Sequence, residues 1–249
     1  CSDDGSGHSL DTVELGKVLD LAVAKLGQPL DLLGMDACLM SNIEVAYQVR
    51  NHVRYIVASE ENEPADGWPY DRILGRITDN PEMEAAELAR SIVSDYVDWY
   101  RDRDTTDDIT QAALDLSKLD SLTAPLDDFA GSLAADMSNS YPDIWRAQRK
   151  SARFWHNTLW DLGHFCEVLH GTTNTDEVGE AAQAVIDALA PGQGRFVLAE
   201  SHLGTKVERC MGVTIYLVPP ITSISRYYGE LDFSHNHPWM SMLEAYHDA

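Results

Sequence analysis

The hydrophobic pattern opens with a helix that leads into a short strand. Apolar residues recur at helical spacing from residue 12 to residue 26, with Asp11 or Thr12 at the cap and Glu14 in the first turn. Gly27 and Pro29 then end the helix. Residues 30–35 form a short apolar run, which is typical of a strand buried on both faces.

The rest of the chain alternates between the same two kinds of element. Strands are predicted over residues 53–58, 109–116, 195–200 and 212–218. Helices are predicted over residues 42–50 and 238–247, and a long helix is predicted to start from a cap at Asn80 and Pro81. Most of residues 117–189 is also predicted to be helical, with interruptions at 141–142 and 171–172. Such alternation indicates an α/β fold with a largely parallel central sheet. With no repeat and no clear linker, residues 1–249 are predicted to form a single domain.

Charge narrows the choice of partners. The 18 Lys and Arg against 41 Asp and Glu leave a formal net charge of −23, which repels the phosphate backbone of nucleic acids. Such a surface attracts basic peptides, cations or calcium, or it serves solubility alone. No apolar run approaches the length of a membrane span, so no membrane-spanning segment is predicted.

The four cysteines, Cys1, Cys38, Cys166 and Cys210, predict neither a disulfide scaffold nor structural zinc. They are scattered, and none belongs to a C-x-x-C pair. Cys166 and Cys210 fall in apolar surroundings and are expected to be structural. Because the chain begins with Cys rather than Met, we expect a segment upstream to have been removed.

Polar and reactive side chains follow the first two predicted strands. The first strand runs out at Asp36, Ala37 and Cys38, and the second at residues 59–61. Ligands of open parallel sheets bind beyond the carboxyl ends of the strands. Alternation places Asp36 and Cys38 on the same side, and the helix predicted from residue 42 favours a thiolate at Cys38. The alternative is a small buried hydrophobe, while solvation is the default for Glu60 and Glu61.

A nucleophilic cysteine needs a base, and the histidines supply no convincing one. None follows a strand in a glycine-rich turn, and the pair at residues 235 and 237 lacks a third metal ligand, so a solvated loop is predicted there. The nine histidines are His8, His52, His156, His164, His170, His202, His235, His237 and His247.

The sequence around Cys38 resembles the clostripain family of cysteine endopeptidases. The resemblance is carried by residues 32–40 (Leu-Leu-Gly-Met-Asp-Ala-Cys-Leu-Met) and 44–47 (Glu-Val-Ala-Tyr), and more loosely by 59–61, 67–70, 212–216 and 231–246. It implies a caspase-like three-layer sandwich with helices on both faces of the sheet, and a Cys–His dyad with Cys38 as nucleophile. The family's histidine lies upstream of the matching segment. The resemblance therefore implies that residues 1–249 are a heavy chain completed by a light chain that carries the histidine.

The same resemblance implies cleavage after Arg, and less readily Lys. Asp36 and Asp66 match acidic positions that line the pocket for that side chain, and carboxylates bind guanidinium through paired hydrogen bonds. The alternatives are a helix cap for Asp36 and a plain Asp-Gly turn for Asp66. No cofactor is certain. Calcium stays open because some family members depend on it, although no calcium loop is recognisable and residues 3–7 are too short.

The prediction is therefore an Arg- or Lys-directed cysteine endopeptidase acting on peptides or proteins. One alternative is a catalytically inactive caspase-like module that binds basic peptides or a partner chain, and another is a different cysteine enzyme such as an acyl transferase. The family resemblance and the acidic surface favour a secreted or periplasmic prokaryotic protein, with the cytoplasm not excluded.

Overall fold

The computed structural model describes residues 2–3, 5–154 and 157–249. Ten α-helices lie in these residues: α1 (Thr12–Leu26), α2 (Ile43–Val49), α3 (Tyr70–Asp79), α4 (Ala85–Arg101), α5 (Asp120–Ala135), α6 (Met137–Lys150), α7 (Leu162–His170), α8 (Asp176–Leu189), α9 (Asp232–Asn236) and α10 (Trp239–Asp248). None of the described helices is both long enough and apolar enough to cross a membrane.

The strands form three sheets. They are β1 (Ser2–Asp3), β2 (His8–Ser9), β3 (Leu30–Gly34), β4 (Val53–Ala58), β5 (Ile109–Asp115), β6 (Arg153–Phe154), β7 (Leu159–Asp161), β8 (Val197–Leu203) and β9 (Thr214–Tyr216). The central sheet has the order β3-β4-β5-β8, β6-β7-β9 form a second sheet, and β1 pairs with β2. The α/β class predicted from the sequence is confirmed.

The central sheet is mixed rather than fully parallel, because β5 runs against the other three strands. β3 and β4 are parallel, but β5 is antiparallel to both β4 and β8. Two helices, α3 and α4, connect β4 to β5, and a connection of two helices returns the chain to the same end of the strands that it has just left. A single crossover helix would have delivered it to the opposite end. Hydrophobic runs locate strands but carry no information about their direction.

Helices cover both faces of this sheet, as the three-layer prediction requires. Alternate residues of β4 point to opposite sides, so that Tyr55 and Val57 pack with α3 and α4, whereas Ile56 and Ala58 pack with α2, α5, α7, α8 and α10. The sheet is thus the middle layer between two hydrophobic cores.

β3 is the edge strand of the sheet and is not buried on both faces, contrary to the sequence prediction. β4 is its only strand partner in the described residues, and all five of its residues are half-buried or exposed. Exposed apolar side chains also lie on α1 and α3, one helix in each layer: Val18, Leu21, Leu26, Leu74 and Ile77. The predicted apolar stripe of α1 is therefore only partly covered by this chain.

Several helix boundaries differ from the prediction. α3 was not predicted, and Asn80 ends it as a C-cap instead of starting the next helix, which begins at Ala85. Pro142 lies inside α6 without interrupting it, because the packing of Ile144 and Ala147 offsets the loss of one amide donor. Two details of α1 were predicted correctly. Asp11 caps the start of the helix, with Glu14 in the first turn, and Gly27, in a left-handed conformation, ends it.

Candidate active site

Cys38 lies in the turn that follows β3, and it is exposed to solvent. Its Sγ accepts a hydrogen bond from the main-chain N–H of Glu63 at 3.3 Å. The next residue, Leu39, has a φ of +66°, a left-handed conformation that is strained for a residue with a side chain. An exposed thiol in a tight, constrained turn does not behave as the small buried hydrophobe that was the alternative for Cys38.

Main-chain hydrogen bonds fix this turn to β4 and β9. The Leu39 N–H donates to the Glu61 carbonyl at 3.3 Å, and the Ser41 N–H donates to the Ser59 carbonyl at 2.9 Å. On the other side, the Thr214 N–H donates to the Ser41 carbonyl at 2.9 Å. The Asn42 side chain caps α2, so it is Asn42 rather than the thiol that satisfies the first amides of that helix.

Asp36 lies on the same turn and points toward an aromatic segment. Its Oδ2 accepts hydrogen bonds from the Tyr70 hydroxyl at 2.9 Å and from the Trp68 main-chain N–H at 3.4 Å. These partners differ from those of a helix cap, which was the alternative for Asp36. The carboxylate is exposed, so it keeps room for a cation.

Asp66 is exposed in the turn just before this segment. Gly67 has a φ of +64°, and a Cβ added to it would lie 3.0 Å from Asp36 Oδ2. The turn therefore does require glycine, as the Asp-Gly alternative supposed, and it also brings the main chain beside Asp66 against the carboxylate of Asp36. The negative charge of Asp66 also acts on a nearby aromatic residue, Tyr100. Burial is the main cause that raises the pKa of Tyr100 to about 12, and the charge of Asp66 is the next.

Glu63 is a site residue that the sequence analysis missed. Its carboxylate accepts the Trp68 indole N–H at 3.0 and 3.1 Å, and its main chain contacts Cys38. Burial, followed by a hydrogen bond with the Asp36 carboxyl, raises the pKa of Glu63 to about 8. Glu63 thus holds a proton beside Asp36 at neutral pH. The only signal in the sequence was its place in a run of acidic residues after β4.

Trp68 is held against the backbone of β3. A Cβ added to Gly34 would lie only 2.9 Å from the Trp68 ring, so glycine is needed for this contact. Tyr96 stacks edge-on with Trp68 at a centroid distance of 6.4 Å, and the Tyr100 hydroxyl donates to the Gly67 carbonyl at 3.0 Å. Carboxylates beside aromatic faces form an environment that suits an organic cation.

A second group of acidic side chains, also close to the end of β4, is sealed from solvent. Glu60 and Asp161 are 1% and 0% exposed, so the default of a solvated Glu60 was wrong. Glu60 Oε2 accepts the Gly212 N–H at 3.1 Å, and Asp161 accepts the N–H groups of His164 and Met211. Burial raises the pKa of Glu60 well above its usual value, and the neighbouring Asp161 carboxylate raises it further.

This sealed group is a neighbouring pair of carboxyl groups whose pKa values burial raises, rather than a prepared metal site. Ligand atoms of Glu60, Asp161 and Cys210 lie within 4.8 Å of one another, a spacing that could hold an ion. However, backbone amides already use both oxygens of Asp161, and burial raises the pKa of the Cys210 thiol, which can serve as a ligand only after it loses its proton. Cys166 is likewise buried.

None of the eight histidines in the described residues contacts Cys38. His52 bonds Asp20, His164 accepts from the Ala152 N–H, and His202 pairs with Glu200. The prediction of a solvated loop at residues 235–237 was wrong, because His235 belongs to α9 and His237 forms a hydrogen bond with Asp127. His156 and Cys1 lie outside the described residues, as does Asp4 in the acidic segment considered for calcium.

Comparison with known proteins places this geometry in context. The model of the clostripain family matches residues 1–246. A clostripain from Bacteroides thetaiotaomicron in complex with the peptide inhibitor BTN-VLTK-AOMK has 18% identity and a TM-score of 0.63, covering 98% of each chain. Comparison with curated proteins gives no significant match.

Two longer structures show a similar fold. A secreted C11 cysteine protease from Bacteroides thetaiotaomicron, in complex with an irreversible peptide inhibitor, has 16% identity and a TM-score of 0.62 over 97% of this chain and 66% of that one. An inactive zymogen C11 protease from Parabacteroides distasonis has 20% identity and a TM-score of 0.60 over 90% and 61%. This chain thus spans less than two thirds of each of these relatives, and at such identities the likeness shows the fold.

Proposed function

This chain belongs to the clostripain family of cysteine proteases, and on that premise we propose that it is an endopeptidase that cuts peptide bonds after Arg or Lys. Cys38 is its nucleophile. The observation that carries the proposal is the exposed thiol of Cys38 in one turn with Asp36, next to the carboxyl of Glu63.

The carboxylates support a cationic residue before the cut. Asp36 and Asp66 would receive the guanidinium, which forms paired, charge-assisted hydrogen bonds with carboxylates. The exposed ring of Tyr70, stacked on Trp68 at 6.4 Å, gives its flat face an aromatic surface. Lysine fits the same charge with a single point contact and is therefore the weaker substrate. The inhibitor of the Bacteroides relative, BTN-VLTK-AOMK, contains a peptide that ends in lysine.

The chemistry is acyl transfer through a thioester. A histidine takes the thiol proton of Cys38, and the sulfur attacks the carbonyl carbon of the scissile bond. Within the described residues the Cys38 main-chain N–H makes no hydrogen bond, so it is available to the oxyanion. The imidazolium then protonates the leaving amine as the C–N bond breaks. Water hydrolyses the thioester and returns the proton to sulfur through the same histidine.

The histidine comes from a light chain or upstream segment in this proposal. The uncovered edge of β3 and the exposed apolar residues of α1 and α3 support such a partner, because an edge strand and apolar patches favour the addition of another chain. Residues 1–249 are then one domain, the heavy-chain part of the peptidase. By the same reasoning from the family, which includes a secreted relative, we place the protein outside the cell or in the periplasm.

The decisive experiment compares two fluorogenic peptides that differ only in arginine or its neutral isostere citrulline before the cut. We expect at least a 100-fold higher kcat/KM for arginine, and no turnover of either peptide by Cys38→Ala. A Cys166→Ala variant, which changes a buried cysteine away from the site, serves as the matched control. An arginyl acyloxymethyl ketone should label Cys38 in the native protein.

Three results would contradict the proposal. Cleavage that survives Cys38→Ala would exclude this nucleophile. Binding of the arginine peptide without cleavage, together with the absence of a histidine-bearing second segment by mass spectrometry, would identify an inactive peptide-binding module. Transfer of the acyl group to an added amine in preference to water would indicate an acyl transferase.

A further inference from the structure

A basic cavity of about 560 Å³ lies beside the turn that carries Cys38. It is built by the end of α6, by β6, and by the loop that follows β8. Five cationic side chains line it, against the carboxylates of Glu61 and Glu208: Arg149, Lys150, Arg153, Lys206 and Arg209. The whole chain has only 18 Lys and Arg and a net charge of −23, so this concentration of positive charge stands out from the surface around it.

Three of these cations are available to a ligand. Lys206 pairs with Asp108 at 2.9 Å, and Arg209 pairs with Glu167 at 2.6 Å. Arg149, Lys150 and Arg153, in contrast, form no ion pair within the part of the chain that the structure describes, and all three are exposed. Because these unpaired cations lie together in one cavity of an otherwise acidic protein, the cavity favours the binding of an anion.

His164 adds a neutral hydrogen-bond donor. Its Nδ1 accepts the main-chain N–H of Ala152 at 3.1 Å, which leaves the proton on Nε2. Burial, followed by the charge of Arg209, lowers the pKa of His164, so the ring stays neutral at pH 7. Since His164 lines the cavity, its fixed tautomer is suited to donate to an oxygen of a bound anion.

The cavity adjoins Cys38 through different residues from those of the acidic pocket. Glu61 lines the cavity, and its carbonyl accepts the Leu39 N–H. The Leu39 side chain packs on a small cluster that contains Phe154 and Val207, whereas Trp68 belongs to the core beside α3 and α4. Cys38 therefore lies between the acidic group at Asp36 and the basic cavity.

The strand register places both pockets at one edge of the sheet. Ala58 at the end of β4 pairs with Ala112, and Ile109 at the start of β5 pairs with Leu203 at the end of β8. The loop after β8, which supplies Lys206 and Arg209, thus emerges at the same edge as the residues after β4. A peptide crossing Cys38 can reach both pockets at once.

We propose that the basic cavity binds the carboxylate of an aspartate or glutamate in the substrate, close to the scissile bond, while the cationic residue occupies the pocket at Asp36. The inference rests on the proposed function and adds to it a preference for substrates of mixed charge. Arg149 and Arg153 would hold the carboxylate through charge-assisted hydrogen bonds, with His164 Nε2–H as a further donor. A nucleic acid is disfavoured as occupant because the surrounding surface is strongly negative.

The test uses the complete protein and a set of peptides that keep arginine immediately before the cut, in which glutamate or glutamine occupies in turn the second and third positions before the cut and the three positions after it. At one position at least, we expect a ratio of kcat/KM for glutamate over glutamine of about 10. The ratio should fall to near 1 in the double variant Arg149→Gln and Arg153→Gln. It should stay unchanged in Arg195→Gln, a matched change of an exposed arginine elsewhere, and should decrease at 0.5 M NaCl.

A ratio near 1 at every position, or a ratio that survives the double variant, would overturn the inference. If no peptide is cleaved, the proposed function fails separately, and the cavity is then tested by fluorescence anisotropy of labelled glutamate and glutamine peptides on Cys38→Ala. Stronger competition by inorganic phosphate or a short single-stranded DNA than by the glutamate peptide would assign the cavity to a phosphate ligand and reject the acidic side chain.

Discussion

Two groups of acidic side chains each include one residue from the segment after β4, and the surroundings of the two groups differ completely. Glu60 and Glu63 are three residues apart after β4. Glu63 joins Asp36 in an exposed group beside Cys38, whereas Glu60 joins Asp161 in a group that solvent does not reach. The two groups have the same chemistry in the sequence and different roles in the molecule.

The two groups differ in which hydrogen-bond donors contact their carboxylate oxygens. In the sealed group, backbone N–H groups of residues 164, 211 and 212 bond both oxygens of Asp161 and one oxygen of Glu60, so the carboxyls hold chain segments together. In the exposed group the donors are the side chains of Trp68 and Tyr70, apart from one long bond from the Trp68 N–H, and Asp36 remains open to solvent. Carboxylates satisfied by the backbone stabilise the fold, and those left open can receive a ligand.

The largest effect on stability is expected from Asp161→Ala. The substitution leaves the buried N–H groups of His164 and Met211 without an acceptor, and each such loss costs 1 to 3 kcal/mol. We therefore expect the free energy of unfolding, measured by urea titration, to fall by about 3 kcal/mol or more. Asp128→Ala, at an exposed position of α5, should change it by less than about 0.5 kcal/mol. A change below about 1 kcal/mol for Asp161→Ala would contradict the structural role.

The pH dependence of stability tests the raised pKa of Glu60 in the same pair. Because burial raises the pKa of Glu60, the folded state keeps a proton that the unfolded chain loses above the ordinary pKa of 4.5. The contribution of the pair is therefore complete below that pH and is lost as the pH rises. Melting temperatures of the native protein should fall more steeply between pH 5 and pH 8 than those of Glu60→Gln. Parallel curves would show that Glu60 keeps no such proton in the folded state.

Among the residues around Cys38, the largest effect on activity is expected from Asp36→Asn. The neutral amide keeps the shape but loses the charge that pairs with guanidinium, so kcat/KM for an arginine peptide should fall about 100-fold. The melting temperature should not change by more than about 2 °C, because the side chain is exposed. Asp31→Asn, an exposed change on the preceding strand β3, controls for the loss of one negative charge. Cleavage within threefold of the native rate would remove Asp36 from the pocket.

The local features of the fold could be predicted from the sequence. The Asp11 cap, the Gly27 stop, β4 and the turn at Cys38 each depend on a few neighbouring residues, which the sequence displays directly. The direction of β5 and the exposure of β3 could not be predicted. They depend on how many helices intervene and on which strands are absent from the edge, and a hydrophobic run carries neither kind of information.

The candidate site was predictable to the same extent. Asp36 and Cys38 are two residues apart, so strand alternation and the family resemblance were enough to bring them together. Glu60 and Glu63 could not be told apart, because their burial is decided by Gly212 and Trp68, which lie far along the chain or across a turn. The basic cavity joins residues about 50 positions apart, from α6 to the loop after β8, and no local pattern marks such a cavity.

The smallest effect, and the most specific one for the exposed group, is expected from Glu63→Gln. The Glu63 carboxyl holds its proton below a pKa of about 8, and a cation bound at Asp36 is favoured when that proton leaves. The ratio of kcat/KM for arginine over citrulline peptides should therefore rise a few-fold from pH 6 to about pH 9, with its midpoint near the pKa of Glu63, and level off above that. Taking the ratio cancels the titration of the thiol and its base, since both peptides share them. In Glu63→Gln the ratio should be independent of pH, while Glu180→Gln, an exposed change on α8, should keep the native profile. A ratio that rises equally in Glu63→Gln would show that Glu63 does not share the pocket with the substrate cation.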